Sequence, residues 1–247
     1  MNFLSLHKRK LLYFLKKKVN IDKDNKSKSL NLEKLFVKYG SDKASFWNKK
    51  NYGHGYTKFY LKHLKKFKKN NINILEIGSY SGASAAAFSK FFYNSNVYCL
   101  DINISNFKYY SKKIKVFGLD ATNSLSLKNF FKKIDKDKKE ISFDIIIDDG
   151  SHKLEDILIC LSLLFDRLKS KGFYVIEDFM HPNYFKHLDS INEPKIDKLI
   201  KAIIKKNIFK SKILSRSFQR KLFYNVKAVN KYKGNKKESH ILFLKKK

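Results

Sequence analysis

Two apolar runs that stop on acidic residues constrain this chain more than any other feature. Phe143 to Ile147 leads into Asp148-Asp149-Gly150-Ser151-His152, and Gly172 to Ile176 leads into Glu177-Asp178. Runs of strand length without polar alternation predict buried parallel strands with their chemistry at the carboxyl ends. Between them, Leu154, Ile157, Leu158, Leu161, Leu164, Phe165 and Leu168 recur at helical spacing, which completes a strand-helix-strand unit. Neighbouring parallel strands lie about 5 Å apart, so Asp149, Glu177 and Asp178 are expected to open onto one crevice. Three carboxylates there repel one another, and a hard divalent cation bound through oxygen is the usual compensation. His152, three residues beyond Asp149, is placed to take a proton from a group held on that cation.

A chain of 247 residues with 43% apolar residues and 22 Phe can bury one α/β domain with a short appendage. Its formal net charge of +32 invites a nucleic-acid role. Yet only Arg9, Arg167, Arg216 and Arg220 are arginine, the residue preferred for forked recognition of phosphates and base edges. The excess of lysine therefore predicts solubility and non-specific adhesion to anions, with no specific nucleic-acid partner. Cys99 and Cys160 each sit inside an apolar run, as buried thiols of a reducing compartment do. No run approaches the roughly 20 apolar residues of a membrane helix, and the N-terminus lacks a signal-peptide pattern. A cytoplasmic protein is expected.

Residues 1–29 read as a basic amphipathic helix over 3–19, followed by a polar linker. Phe3, Leu4, Leu6, Leu11, Leu12, Phe14, Leu15 and Val19 interleave there with basic residues. Such a helix can lie weakly on an anionic membrane, giving a peripheral location at the inner face, or dock on its own body or a partner copy. Residues 30–70 read as a helical segment that completes the site. They carry Ser41-Asp42-Lys43 and His54-Gly55-Tyr56, which helix capping and surface packing explain equally well. Residues 71–247 hold the main domain.

In that domain the strand Asn73 to Ile77 is followed by Glu76-Ile-Gly78-Ser79-Tyr80-Ser81-Gly82 and a helix from Ala83 to Phe92, with Ser84 in its first turn. The glycines let the backbone turn tightly and leave room for a ligand at the helix start. The loop lacks both the dinucleotide pattern and the Lys-Ser/Thr of a P-loop. A second strand, Asn96 to Leu100, ends on Asp101, positioned to accept hydrogen bonds from ribose hydroxyls. A weaker strand, Lys115 to Leu119, ends on Asp120, on the adenine side by the same topology. Asp197 to Lys206 reads as a helix, and Phe218 to Val229 with His240 to Leu244 as a terminal antiparallel pair.

The order of strand, E-x-G-x-x-x-G loop, helix, acid-tipped strand and closing hairpin resembles a class I S-adenosylmethionine-dependent methyltransferase. Ser41-Asp42-Lys43, His54-Gly55-Tyr56, Ile74 to Gly78, Asp148 to His152 and Ile176-Glu177-Asp178 narrow this to the metal-dependent sugar O-methyltransferases of the mycinamicin and rhamnosyl-tetracenomycin type, a group related to cephalosporin hydroxylase-like proteins. The resemblance implies a doubly wound, mostly parallel Rossmann-like sheet with a C-terminal antiparallel hairpin and a helical N-terminal extension. It implies S-adenosylmethionine held by Glu76, Gly78, Ser79, Tyr80, Gly82, Ser84, Asp101, Asp120 and Asp148. It also implies Mg2+, or Mn2+ or another divalent cation, held by Asp149, Glu177 and Asp178, with His152 as general base. Asp42, Lys43, His54 and Tyr56 are additional site candidates, the partner is a small-molecule or glycan acceptor, and a homo-oligomer is compatible. Two departures stand out: Ser41 replaces a common threonine, and the loop after Asp178 carries no known acceptor pattern.

Two alternatives compete. An iron-dependent hydroxylase needs two histidines and a carboxylate, and the motifs show one histidine among three acids. A basic nucleic-acid or membrane-surface binding module on an idle fold would bind anions in a salt-sensitive way without cofactor affinity.

Overall fold

The computed structural model describes residues 3–47, 51–135, 140–189 and 191–247. The chain divides into two compact units, Met1–Ile134 and Asp135–Lys247.

The first unit runs through α1 (Phe3–Leu15), β1 (Val19–Asn20), α2 (Leu32–Tyr39), α3 (Thr57–Leu64), β2 (Asn71–Ile77), α4 (Ala83–Phe91), β3 (Asn94–Asp101), β4 (Tyr109–Tyr110), β5 (Ile114–Gly118) and α5 (Ser124–Ile134). Strand β3 lies between β2 and β5 and is parallel to both, with Ile74 opposite Val97 and Cys99 opposite Val116. Ile72, Ile74, Leu75, Val97, Cys99 and Leu100 are buried, as the apolar runs of 72–77 and 97–100 require. Three alanines, Ala85 to Ala87, let α4 sit close on its neighbours. Phe88, next along it, meets the rings of Phe36 and Tyr60 edge-on, each at 5.4 Å, which ties α2 and α3 to α4. Asn31 caps α2 by accepting from the Lys34 amide at 2.9 Å, and Gly40 ends it in the left-handed conformation.

Helix α1 docks on its own unit. Arg9 donates to the Ile102 carbonyl at 3.1 Å, Lys16 to that of Ser105 at 3.0 Å, and the ring of Tyr13 stands edge-on to Phe107 at 6.4 Å. β1 then pairs in parallel with β4. Leu11, Leu12, Phe14 and Leu15 remain exposed along the helix. Among the described residues no helix is long and apolar enough to cross a membrane.

The second unit comprises β6 (Phe143–Asp148), α6 (Leu154–Leu164), β7 (Leu168–Glu177), α7 (His181–Tyr184), α8 (Ile196–Lys205), α9 (Arg216–Asn225), β8 (Val226–Lys233) and β9 (His240–Lys246). Its strand order is β6-β7-β9-β8. β6 and β7 are parallel, with Asp148 opposite Ile176, whereas β9 runs antiparallel to both β7 and β8. Ile241 to Leu244 are fully buried.

The terminal pair begins later than its apolar pattern suggests. Residues 216–225 are a helix, started by Ser215, which accepts from the Phe218 amide at 3.2 Å. Phe218, Leu222 and Phe223 fall on its buried side, so the spacing that passes for a strand is a helical face. Helix α5 is a further element that sequence periodicity left unassigned; Leu127, Phe130, Phe131 and Ile134 form its buried side. At the other end of the unit's core, Arg167 forks onto Asp135 with contacts of 3.1 Å.

Candidate active site

In the first unit the loop after β2 turns through three consecutive positive-φ positions two residues apart, Gly78 (78°), Tyr80 (43°) and Gly82 (75°). A side chain on Gly82 would be strained by that φ and would drive its Cβ to 2.4 Å from the Phe107 ring, so the turn needs glycine for both reasons. Gly82 precedes α4 without offering a side-chain cap, which leaves the first-turn amides of the helix to an incoming group. Ser79 and Ser84 are buried, and Glu76 is fully buried at the strand end.

Asp101, at the tip of β3, accepts from the Tyr80 amide at 2.7 Å through Oδ2 and from the Asn103 amide at 2.6 Å through Oδ1. The carboxylate is thereby held against the glycine loop, and each oxygen keeps a second lone pair for another donor. Asp120 is engaged locally: its Oδ1 accepts from the Thr122 amide at 2.9 Å and hydroxyl at 2.7 Å. These sites fit a nucleoside cofactor in donor chemistry and in backbone shape.

The two N-terminal motifs also meet. His54 N–H donates to the Asp42 carbonyl at 2.6 Å and Tyr56 N–H to that of Lys43 at 2.8 Å, so residues 42–44 and 53–56 lie backbone to backbone. His54 Nε2 stands 3.5 Å from Asp42 Oδ2, and its ring lies 5.2 Å from that of Tyr56. Lys43 is only 2% exposed, unusual for a lysine.

In the second unit the acid-tipped strands end side by side. Burial pushes the Asp148 carboxyl up to about 7, aided by the charges of Asp149 and Asp156 and opposed by the Gly150 amide. Its Oδ2 has no hydrogen-bond partner among the described residues, and the buried Tyr174 hydroxyl is in the same position. Asp149 and His152 are half-buried, with Asp149 Oδ1 3.8 Å from His152 Nε2. Glu177 and Asp178 are 2% and 4% exposed. Two carboxylates at a strand tip are oxygen donors of the kind a hard divalent cation takes.

Sequence reasoning missed His181. Its Nε2 lies 3.4 Å from Asp178 Oδ1, and its ring meets that of His152 edge-on at 5.0 Å. One ligand atom each from His152, Asp178 and His181 fall within 4.8 Å of one another. The expectation of one histidine among three acids is thus corrected: a second histidine stands beside the first. The signal was present, since Asp149-Gly-Ser-His152 and Asp178-Phe-Met-His181 repeat one D-x-x-H spacing after two neighbouring parallel strands. In both, a non-glycine residue takes the left-handed conformation, His152 at φ 58° and Asp178 at φ 52°, a cost tolerated mostly at functional positions.

Residues 75–179 match the family described as Methyltransferase domain. The chain is 29% identical over 151 residues, 58% of its length, to 8-demethyl-8-alpha-L-rhamnosyl tetracenomycin-C 2'-O-methyltransferase of Streptomyces olivaceus. It is 31% identical over 160 residues, 60% of its length, to L-olivosyl-oleandolide 3-O-methyltransferase of Streptomyces antibioticus. Each alignment takes in 36% of the relative, so the chain spans little more than a third of the length of the curated relatives it matches. Among solved structures it is similar to the MycE methyltransferase of the mycinamycin biosynthetic pathway, in complex with Mg and SAH, with a TM-score of 0.66 and 22% identity over 88% of this chain and 54% of that one. The likeness fixes the fold as Rossmann-like, a mostly parallel sheet with antiparallel C-terminal strands. Residues 75–179 thus resemble a methyltransferase domain, and the chain is related in sequence to sugar O-methyltransferases.

Proposed function

We propose that this chain is an S-adenosylmethionine-dependent O-methyltransferase that acts on a hydroxyl of a sugar or glycoside with a divalent metal and a histidine base. The observation that carries it is the clustering of the buried Asp178 with the half-buried His152 and His181 beyond the ends of β6 and β7, Asp178 and His152 lying within the matched residues 75–179 that also hold the glycine loop. The relatives' names, which specify methyl transfer to sugars of antibiotic glycosides, support the acceptor class.

In this reading the loop from Glu76 to Gly82 and Ser84 grips the cofactor, Asp101 takes its ribose hydroxyls, and Asp120 lies on its adenine side. A sulfonium methyl is already activated, so the protein's task is to align an in-line displacement and improve the attacking oxygen. A divalent cation held by Asp149, Glu177 and Asp178 would supply Lewis acidity and a template for acceptor oxygens. His152, whose Nε2 stands 3.8 Å from Asp149 Oδ1, then removes the hydroxyl proton. Asp42, Lys43, His54 and Tyr56 are additional site candidates.

Calorimetry with S-adenosylhomocysteine tests the cofactor half. Wild type is expected to bind, and Asp101→Ala to bind at least about tenfold more weakly, as lost charged hydrogen bonds imply; no binding by wild type overturns the proposal. For His152→Ala, retained nucleoside affinity with turnover lower by about 10²–10⁴-fold is expected.

The exposed Leu11, Leu12, Phe14 and Leu15 on a helix that also carries Lys8, Arg9 and Lys10 support a second, separate role for α1 as a contact with anionic lipid. Flotation with phosphatidylserine vesicles tests it.

A further inference from the structure

We propose that His152, Asp178 and His181 form a binding site for a divalent transition ion, distinct in its donors from the all-carboxylate set and sharing Asp178 with it. Two imidazoles and one carboxylate suit Fe2+, Co2+, Ni2+ or Zn2+, whereas Mg2+ favours oxygen donors. An ion about 2.1 Å from each of three donors sets those donors roughly 3–4 Å apart. The Asp178–His181 pair already stands at 3.4 Å, and the whole triad fits within 4.8 Å, so a small rotation of His152 closes it.

The backbone builds this arrangement. Asp178 leaves β7 in the left-handed conformation, and its carbonyl accepts from the His181 amide at 2.8 Å, which folds the second D-x-x-H back on itself. His152, four residues past the end of β6, itself takes the left-handed conformation. The two histidines are thus brought to ring contact from separate strands. Three protein donors leave further coordination positions for water or a ligand oxygen, as in sites that act on a bound group.

Ion binding here needs neither cofactor nor acceptor. Its consequence for turnover does rest on the methyl-transfer reading: an ion that recruits His152 as a ligand withdraws the base, so the second histidine makes the site discriminate between hard and borderline metals.

The test uses the full chain stripped with a chelator and titrated with Co2+, followed by visible absorption and by calorimetry. Wild type is expected to bind one equivalent with the intense d–d bands of a nitrogen-containing site of low coordination number. His181→Asn and His152→Asn should each weaken binding by at least about tenfold through loss of an imidazole donor. His181→Cys should restore affinity and add a sulfur-to-cobalt charge-transfer band. Glu177→Gln should leave Co2+ binding in place. The proposal is overturned if wild type shows only the weak spectrum of an oxygen-ligated ion, or if folded His181→Asn binds as wild type does. Should His181→Asn fail to fold, the wild-type spectrum alone decides. S-adenosylhomocysteine binding on the same preparation separates the two readings: cobalt bands without nucleoside binding uphold the ion site and remove the methyltransferase reading, and the reverse pattern does the opposite.

Discussion

Asp24 shows how one exposed-looking acid fastens the start of the first unit. Its carboxylate accepts from Lys38 at 2.6 Å, from the Ser27 hydroxyl at 2.5 Å and from Tyr39 at 3.2 Å, and its backbone carbonyl accepts from Lys90 at 3.1 Å. Lys38 first, then Ser27, hold the carboxyl well below the usual range. A depressed folded pKa contributes stability that is fully present above the unfolded value, about 3.9, and is lost as pH falls through the folded one. Asp24→Asn is therefore expected to cost about 1–2 kcal/mol at neutral pH, with the gap to wild type narrowing as the pH drops from about 5 toward 2. Thermal melts of both proteins across that range check it; a gap independent of pH would contradict it. At this scale the sequence was legible where a residue type has few uses. Asp101 at a strand tip and Gly82 before a helix were readable in advance. Lys43 was not, because nothing in Ser-Asp-Lys separates a buried lysine from the many solvated ones. His181 was hidden by the Pro182 beside it, which makes the segment look like a plain loop.

Among the elements, α9 depends on a side chain that hydropathy ranks as surface. Gln219 is buried and makes three bonds: it donates to the Phe209 and Leu214 carbonyls at 3.0 and 2.8 Å and accepts from the Phe209 amide at 3.0 Å. It thereby staples the loop between α8 and α9 to the helix. Gln219→Ala removes all three and leaves buried backbone groups unsatisfied, so a loss of about 2–4 kcal/mol is expected in urea unfolding. A loss under about 0.5 kcal/mol, the range of ordinary surface substitutions, would refute this. The same helix shows why its apolar residues misled. Phe218, Leu222 and Phe223 adjoin the strand Val226–Lys233 without a turn signal, so a strand pattern runs backward into a helix. β2 and β6 had no such ambiguity, because strands covered on both faces need continuous apolar runs that polar loops then interrupt; β7 begins at Leu168, which helical spacing had claimed for α6. α5 escaped notice because three lysines dilute its buried stripe.

For the molecule as a whole, the +32 charge and the exposed face of α1 make separable predictions about anionic surfaces. Attraction through scattered lysines is screened over about 8 Å at physiological salt, whereas insertion of Phe14 and Leu15 is not. Vesicle binding that survives high salt and is lost in Phe14→Asp/Leu15→Asp supports a role for the helix; binding abolished by salt alone assigns it to bulk charge. The class of fold was legible because its acid-tipped strands and glycine loop come in a fixed order. Docking of α1 on its own body was among the readings of its amphipathic pattern, but the surface it covers, residues 102–107, was not legible, since such a helix does not announce its partner.

The position of β9 between β8 and β7 has a consequence for synthesis. β8 emerges from the ribosome before β9 but cannot join the sheet until residues 240–246 have followed it. Throughout translation of the second unit, the open margin of β7 is therefore a site for wrong partners, and it is the late arrival of Ile241 to Leu244 that seals it.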